Sequence, residues 1–165
     1  MNKNNLSINK NFELAVENQQ KGDLIAAEDL YNKVLKKDPN HAKAYNNLGI
    51  IYVNAFEWDK AEKCFSRALK KTQNHLAIEN ELNFIRNIQY LIKLENDGDF
   101  ITVIENAEKL ISREPKKIEP YLYCLKSLIK LKKASVARHI CKIIKVMGGK
   151  NILQNFSKKE NILYD

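Results

Sequence analysis

The chain has 165 residues, 44% of them hydrophobic, with only 5 glycines and 3 prolines, so it is globular and neither linker-rich nor disordered. Its three cysteines, Cys64, Cys124 and Cys141, are odd in number and form no C-x-x-C pair, which argues against a disulfide framework or a structural zinc site and suits a reducing compartment. The first residues, MNKNNLSINKNF, carry no apolar leader segment, and no run approaches the roughly 18 apolar residues of a membrane span, so the expected location is the cytoplasm.

In chain order, residues 1–7 read as a flexible start. A first helix pair follows over about 8–41: Leu24, Ala27, Tyr31, Val34 and Leu35 keep helical spacing, Gly22-Asp23 separates the two helices with Asp23 as N-cap, and Pro39 lies just past the second. The second pair, about 42–75, repeats the first at an interval of 34 residues: Ala27 returns as Ala61, Tyr31 as Phe65, Val34 as Ala68, Leu35 as Leu69 and His41 as His75. Ala61, Cys64, Phe65, Ala68 and Leu69 form one continuous helical face.

The next interval, from Ala61 to Val103, is 42 residues. The eight extra residues contain no Gly or Pro, and Leu82, Ile85 and Ile88 keep the helical period. They predict one long helix over about 76–96, in which 76–83 extend the first helix of a third pair (84–117); a loop insertion is the alternative. That pair has its own Gly98-Asp99 turn and Pro115 beyond its second helix. The fourth, 118–151, is in 34-residue register with it through Tyr90 and Cys124, Val103 and Ala137, Ala107 and Cys141, and Leu110 and Ile144. Pro120 falls in a first helical turn, and Gly148-Gly149 reads as a helix stop. The tail, 152–165, predicts either a capping helix laid through Ile152, Leu153 and Phe156 on Ile140, Ile144 and Met147, with Ile162 and Leu163 later, or a flexible or partner-binding end.

The segment AKAYNNLGIIYVNAFEWDKAEKCFSRALKKTQNH (42–75) closely resembles a tetratricopeptide repeat, through Tyr45, Leu48-Gly49, Tyr52, Ala61, Phe65 and Ala68. The first copy matches through Leu14-Ala15, Gly22, Ala27, Tyr31, Val34 and Pro39, while copies three and four keep only Tyr90-Leu91, Gly98 and Pro115, and Tyr121 and Ala137. The resemblance implies an all-α fold, an α-solenoid of about four stacked antiparallel helix pairs in a right-handed superhelix. Its first helices would line a concave groove that grips a peptide or helix of another protein. Mapped residue by residue, that groove would include Phe12, Val16, Gln19, Asn46, Asn47, Ile50, Asn54, Ile88, Gln89, Ile92, Lys126 and Lys130. Asn47 matches the groove asparagine of many such repeats. Phe12 and Val16 stand where chaperone-binding members carry a carboxylate-clamping Lys and Asn, so a chaperone clamp is not expected.

Charge is uneven. Residues 118–151 hold eight lysines and arginines against the single acid Glu119, which is +7 of the chain's +8. Lys126, Lys130, Lys133, Arg138, Lys142 and Lys145 are therefore a candidate docking patch for an acidic peptide, RNA or an anionic membrane surface, set against the blander reading of a solvated lysine-rich face. His41 and His75 occupy equivalent turns, the cysteines fall at packing positions, and Trp58 reads as half-buried at a repeat edge; none suggests a metal ligand or a nucleophile. With no Gly-rich phosphate loop or nucleophile elbow, no catalytic residue, metal or cofactor is assigned. The expected function is a noncatalytic adaptor or scaffold for another protein. The alternatives are an accessory or targeting module for a glycosyl- or sulfo-transferase-type enzyme, and an RNA or anionic-surface binder working through the fourth copy.

Overall fold

In the computed structural model, which describes residues 3–72 and 76–160, the first helix of each pair ends in the same backbone device, as does the helix before Gly148. The chain turns left-handed at Gly22, Phe56, Gly98, Lys132 and Gly148. The following amide then reaches back five residues: Asp23 to the Asn18 carbonyl at 2.9 Å, Glu57 to Tyr52 at 2.8 Å, Asp99 to Leu94 at 2.9 Å, Lys133 to Leu128 at 2.8 Å and Gly149 to Ile144 at 2.9 Å. Each turn satisfies carbonyls that the helix end would otherwise leave unpaired. The first four turns are 34, 42 and 34 residues apart, so the backbone repeats the interval read from the side chains. Asp23 and Asp99 start the next helices by accepting from the amides of Ala26 and Thr102, both at 3.1 Å.

All regular structure among the described residues is α-helical. It divides into two compact units, Met1–Arg86 and Asn87–Asp165. The first contains α1 (Lys3–Gln20), α2 (Leu24–Lys37), α3 (Ala42–Asn54), α4 (Trp58–Leu69) and the start of α5 (Leu76–Asn96). Here α1 pairs with α2, α3 pairs with α4, and α2 packs on α3. Ala15, Ala27, Tyr31, Val34, Ala44, Leu48 and Ile51 form a core shared by α1, α2 and α3. Residues 3–7, set apart as a flexible start in the sequence reading, belong to α1, where Ser7 Oγ accepts from Lys37 Nζ at 2.7 Å. Trp58 is buried rather than half-buried, because its ring meets Phe56 edge-on at 5.8 Å beside the left-handed turn. α5 spans 76–96, the extent that the missing Gly and Pro predict.

The second unit contains the rest of α5, then α6 (Phe100–Arg113), α7 (Glu119–Lys130), α8 (Ala134–Val146) and α9 (Lys150–Glu160). α7 is its centre. It packs on α6 and α8, Tyr123 meets Phe156 of α9 edge-on at 5.4 Å, and every residue from Pro120 to Leu125 is buried. A helix apolar all round is an interior helix. α9 buries Leu153 and Phe156, while Ile152 stays partly exposed. Gly149 brings α9 close: a Cβ there would sit 2.8 Å from Ile144 Cγ2 and 2.9 Å from Ile118 Cδ1. His75, Ile162 and Leu163 lie outside the described residues.

The weak third and fourth copies have a packing explanation. At one pair of equivalent places the first two copies put a small residue on the first helix and a ring on the second: Ala15 with Tyr31, then Gly49 with Phe65. The last two copies reverse the sizes, with Leu91 and Ala107, then Leu125 and Cys141. Seven of these eight residues are buried and Cys141 is half-buried. The summed side-chain size at the two places stays roughly the same, a kind of exchange that cores tolerate well.

Two outcomes follow for stability. An added Cβ at Gly49 would stand 2.8 Å from the buried Phe65 ring. Overpacking of about 1–3 kcal/mol then outweighs the roughly 1 kcal/mol that alanine contributes to a helix interior. Gly49→Ala is expected to lower stability by about 1 kcal/mol in urea titrations, and to become neutral or stabilising in a Phe65→Leu background. Equal effects in both backgrounds would contradict the ring-in-socket contact. Lys132 is exposed at φ 57°, a conformation that costs a non-glycine residue about 1 kcal/mol or slightly more. Lys132→Gly should raise the unfolding midpoint by a corresponding amount, whereas a lower midpoint would remove strain as the explanation.

Candidate functional site

In the first unit the groove residues are organised from beneath by one phenol. Tyr31 of α2 is fully buried, and its hydroxyl needs partners. It donates to Gln19 Oε1 of α1 at 2.7 Å and accepts from Asn47 Nδ2 of α3 at 2.8 Å. Burial pushes the Tyr31 pKa up, against a smaller lowering by the Asn47 bond, so the hydroxyl stays protonated as a donor to Gln19. Three helices thus converge on one oxygen, and the two amides are held in fixed orientation. Tyr31 and Phe65 hold equivalent places 34 residues apart. The hydroxyl that distinguishes them was the available signal for this node.

Phe12 covers the same place from α1. Its ring lies 5.8 Å from Tyr31 and 4.8 Å from the His41 imidazole, and His41 Nδ1 caps α3 by accepting from the Ala44 amide at 3.2 Å. That assigns His41 a structural task. Phe12, Asn46 and Asn47, with Ala42, Lys43, Thr72 and Ile78, line a cavity of about 220 Å³. This is smaller than the roughly 300 Å³ at which drug-sized ligand sites begin, and has the size of a single side chain. Asn46 Nδ2 donates to Asn47 Oδ1 at 3.4 Å. Val16 and Gln19 are half-buried, and Ile50 and Asn54 are exposed further along the same two helices.

The second unit departs from the mapping at two positions. Ile88 is completely buried, on the inward side of α5 with Leu91; it lines no surface. Gln89 and Ile92 are half-buried and Lys130 is exposed. Lys126 pairs with Glu95 of α5 at 2.8 Å, with side-chain exposures of only 13% and 8%. It is therefore a nearly buried structural ion pair and not a docking cation. The remaining patch residues, Lys130, Lys133, Arg138, Lys142 and Lys145, are exposed.

The thiols are quiet. Burial pushes Cys64 and Cys124 up to about 11, which leaves them protonated at neutral pH and weakly nucleophilic. Among the described residues no group of three or more His, Cys, Asp or Glu could hold a metal ion, and no helix is long and apolar enough to cross a membrane.

Removing one member of a nearly buried pair strands the other charge, typically at about 3–5 kcal/mol. Lys126→Ala is therefore expected to lower the unfolding free energy by about 3 kcal/mol, and a paired Glu95→Leu/Lys126→Met chain to recover most of it. If Lys126→Ala melts like the wild type, the pair is not structural.

A model of the tetratricopeptide repeat matches residues 19–79. The human protein O-mannosyl-transferase TMTC3 is 29% identical over 99 residues, which cover 60% of this chain and 10% of that protein. The chain thus spans about a tenth of the length of this relative. Among solved structures, YrrB, described as a TPR protein with an unusual peptide-binding site, is 15% identical with a TM-score of 0.44, covering 90% of each chain. The Pseudomonas aeruginosa pilF product is 16% identical with a TM-score of 0.44, covering 92% of this chain and 74% of its own. Residues 19–79 thus match the tetratricopeptide repeat, and the left-handed turns at Gly22 and Phe56 within that match stand 34 residues apart.

Proposed function

We propose that the chain is a noncatalytic interaction module that binds a peptide or helical segment of another protein on the α1–α3 face of its first unit. The observation that carries this reading is the Gln19–Tyr31–Asn47 chain of hydrogen bonds. Buried support fixes the two amides before any partner arrives, which reduces the ordering cost of binding. The Phe12-lined cavity beside them accepts one apolar anchor, and Ile50 and Asn54 extend the face with one apolar and one amide group. Fixed amides for a partner's main chain next to an apolar socket is a peptide-recognition arrangement. Gln89, Ile92 and Lys130 are the second unit's own candidate contacts.

A second reading is supported by the relative: as part of a larger assembly, the chain would be an accessory module for a transferase-type enzyme, in keeping with its likeness to the O-mannosyl-transferase TMTC3. A third, weaker reading uses the exposed Lys130, Lys133, Arg138, Lys142 and Lys145 for RNA or an anionic surface. Lysine-rich faces attract phosphate without reading bases, so such binding would collapse between about 50 and 200 mM salt.

The test is a pulldown with the wild-type chain beside an Asn47→Ala/Ile50→Asp variant. Partners of the α1–α3 face should be lost selectively, at physiological salt, from the variant. Retention of every partner would overturn the assignment, and recovery of a transferase among those lost would select the second reading.

A further inference from the structure

On the other side of α3 the first unit carries a second concavity, of about 420 Å³, between α2 and α4. Four cations line it: Lys36 from α2, and Lys60, Lys63 and Arg67 from α4. All four are exposed. Among the described residues no ion pair is seen between a carboxylate and any of them; the unit's ion pairs include Lys21–Glu17 and Arg86–Glu62. Two acids act on the cleft's edge: Glu28 accepts the Tyr52 hydroxyl at 2.7 Å, and the Glu57 charge is also felt at Tyr52. Asp59 and Glu62 lie across the α4 ridge, in a separate depression that shares Lys63 and Arg67.

Two of the cations are positioned by tyrosines of α3. Lys60 Nζ stands 5.3 Å above the Tyr52 ring. The Arg67 guanidinium lies 5.5 Å from the Tyr45 ring centre and donates to its hydroxyl at 3.3 Å. Cations held on rings lose less freedom when they meet an anion, and a concave wall concentrates their field. Burial pushes the Cys64 thiol at the floor up to about 11, so it adds no negative charge there.

We propose that this cleft is a second binding site, which takes an acidic peptide segment whose carboxylates pair with Lys36, Lys60, Lys63 and Arg67. Its dimensions favour that occupant. Lys60, Lys63 and Arg67 follow one another along about 10 Å of a helix, the length of roughly three residues of extended chain. A lone phosphate would span only part of this row, and a flat membrane surface cannot enter a concavity. The site is separate from the proposed α1–α3 face, so either can fail without the other.

The experiment uses the full chain and a fluorescein-labelled peptide of alternating glutamate and glycine, followed by anisotropy. Its glutamine counterpart, a polyuridine oligonucleotide and inorganic pyrophosphate serve as competitors. The glutamate peptide should bind, and Lys60→Glu/Lys63→Glu should weaken it at least about tenfold. Asn47→Ala/Ile50→Asp and Lys142→Glu/Lys145→Glu should leave it unchanged. Amide resonances of Lys60, Lys63 and Arg67 in the wild-type chain should shift during the titration, a readout independent of any variant's folding. Equal binding of the glutamine peptide, equal loss on Lys142→Glu/Lys145→Glu, shifts confined to α8, or preferential binding of the oligonucleotide or pyrophosphate would each overturn the proposal.

Discussion

The structure depends on a ring filling the space left by a missing side chain. Gly49 and Phe65 show it most directly, since even one carbon at Gly49 would meet the ring at 2.8 Å. Two helices can approach this closely only if one yields volume and the other supplies it. The constraint concerns the sum of the two side chains and not their order, which is why Leu91 with Ala107 can replace Gly49 with Phe65. Interiors packed to crystal-like density accept such exchanges and reject net gains or losses. Copies three and four keep a similar summed size at these two places with the order reversed.

The choice between those solutions has functional consequences. With the ring on the second helix, a phenol in place of a phenyl adds a hydroxyl beneath the first-helix surface, and Tyr31 uses it to hold Gln19 and Asn47. Leu91 and Leu125 offer no polar atom from the first helices, and Ala107 and Cys141 reach less far from the second. In the second unit α7 is enclosed on all sides instead, and its one inward cation, Lys126, is consumed by Glu95. The oriented amides thus belong to the first unit, although most of the excess charge lies in the second.

Much of the fold was legible because 34-residue spacing acts on many positions at once. The uninterrupted helix 76–96 could be read from the absence of Gly and Pro, and the Gly22 and Gly98 turns from residues that favour positive φ. The matching turns at Phe56 and Lys132 could not, since nothing in either residue type announces a left-handed backbone. Lys126 was visible as a cation, but Glu95 lies in another helix 31 positions away, and periodicity does not report such partners. Ile88 was misassigned because matching repeat positions fixes a place on a helix more accurately than the side that is covered. The α2–α4 cations escaped notice for a related reason: each, on its own helix, reads as part of a solvated face.

α3 is where these separate features meet. At about 100° per residue, Asn46, Asn47, Ile50 and Asn54 occupy one side of this helix, while Tyr45, Leu48 and Tyr52 occupy the opposite side. The first side carries the Asn47 amide held by Tyr31, and the second carries the rings on which Lys60 and Arg67 rest. α3 itself contributes a single charge, Lys43, so its role on both sides is to position groups rather than to attract ligands. A helix in this position must be rigid, and its burial through Ala44, Tyr45, Leu48, Gly49 and Ile51 makes it so. The close packing of Gly49 on Phe65 therefore does more than hold two helices together. By fixing α3 it sets the geometry of both proposed surfaces.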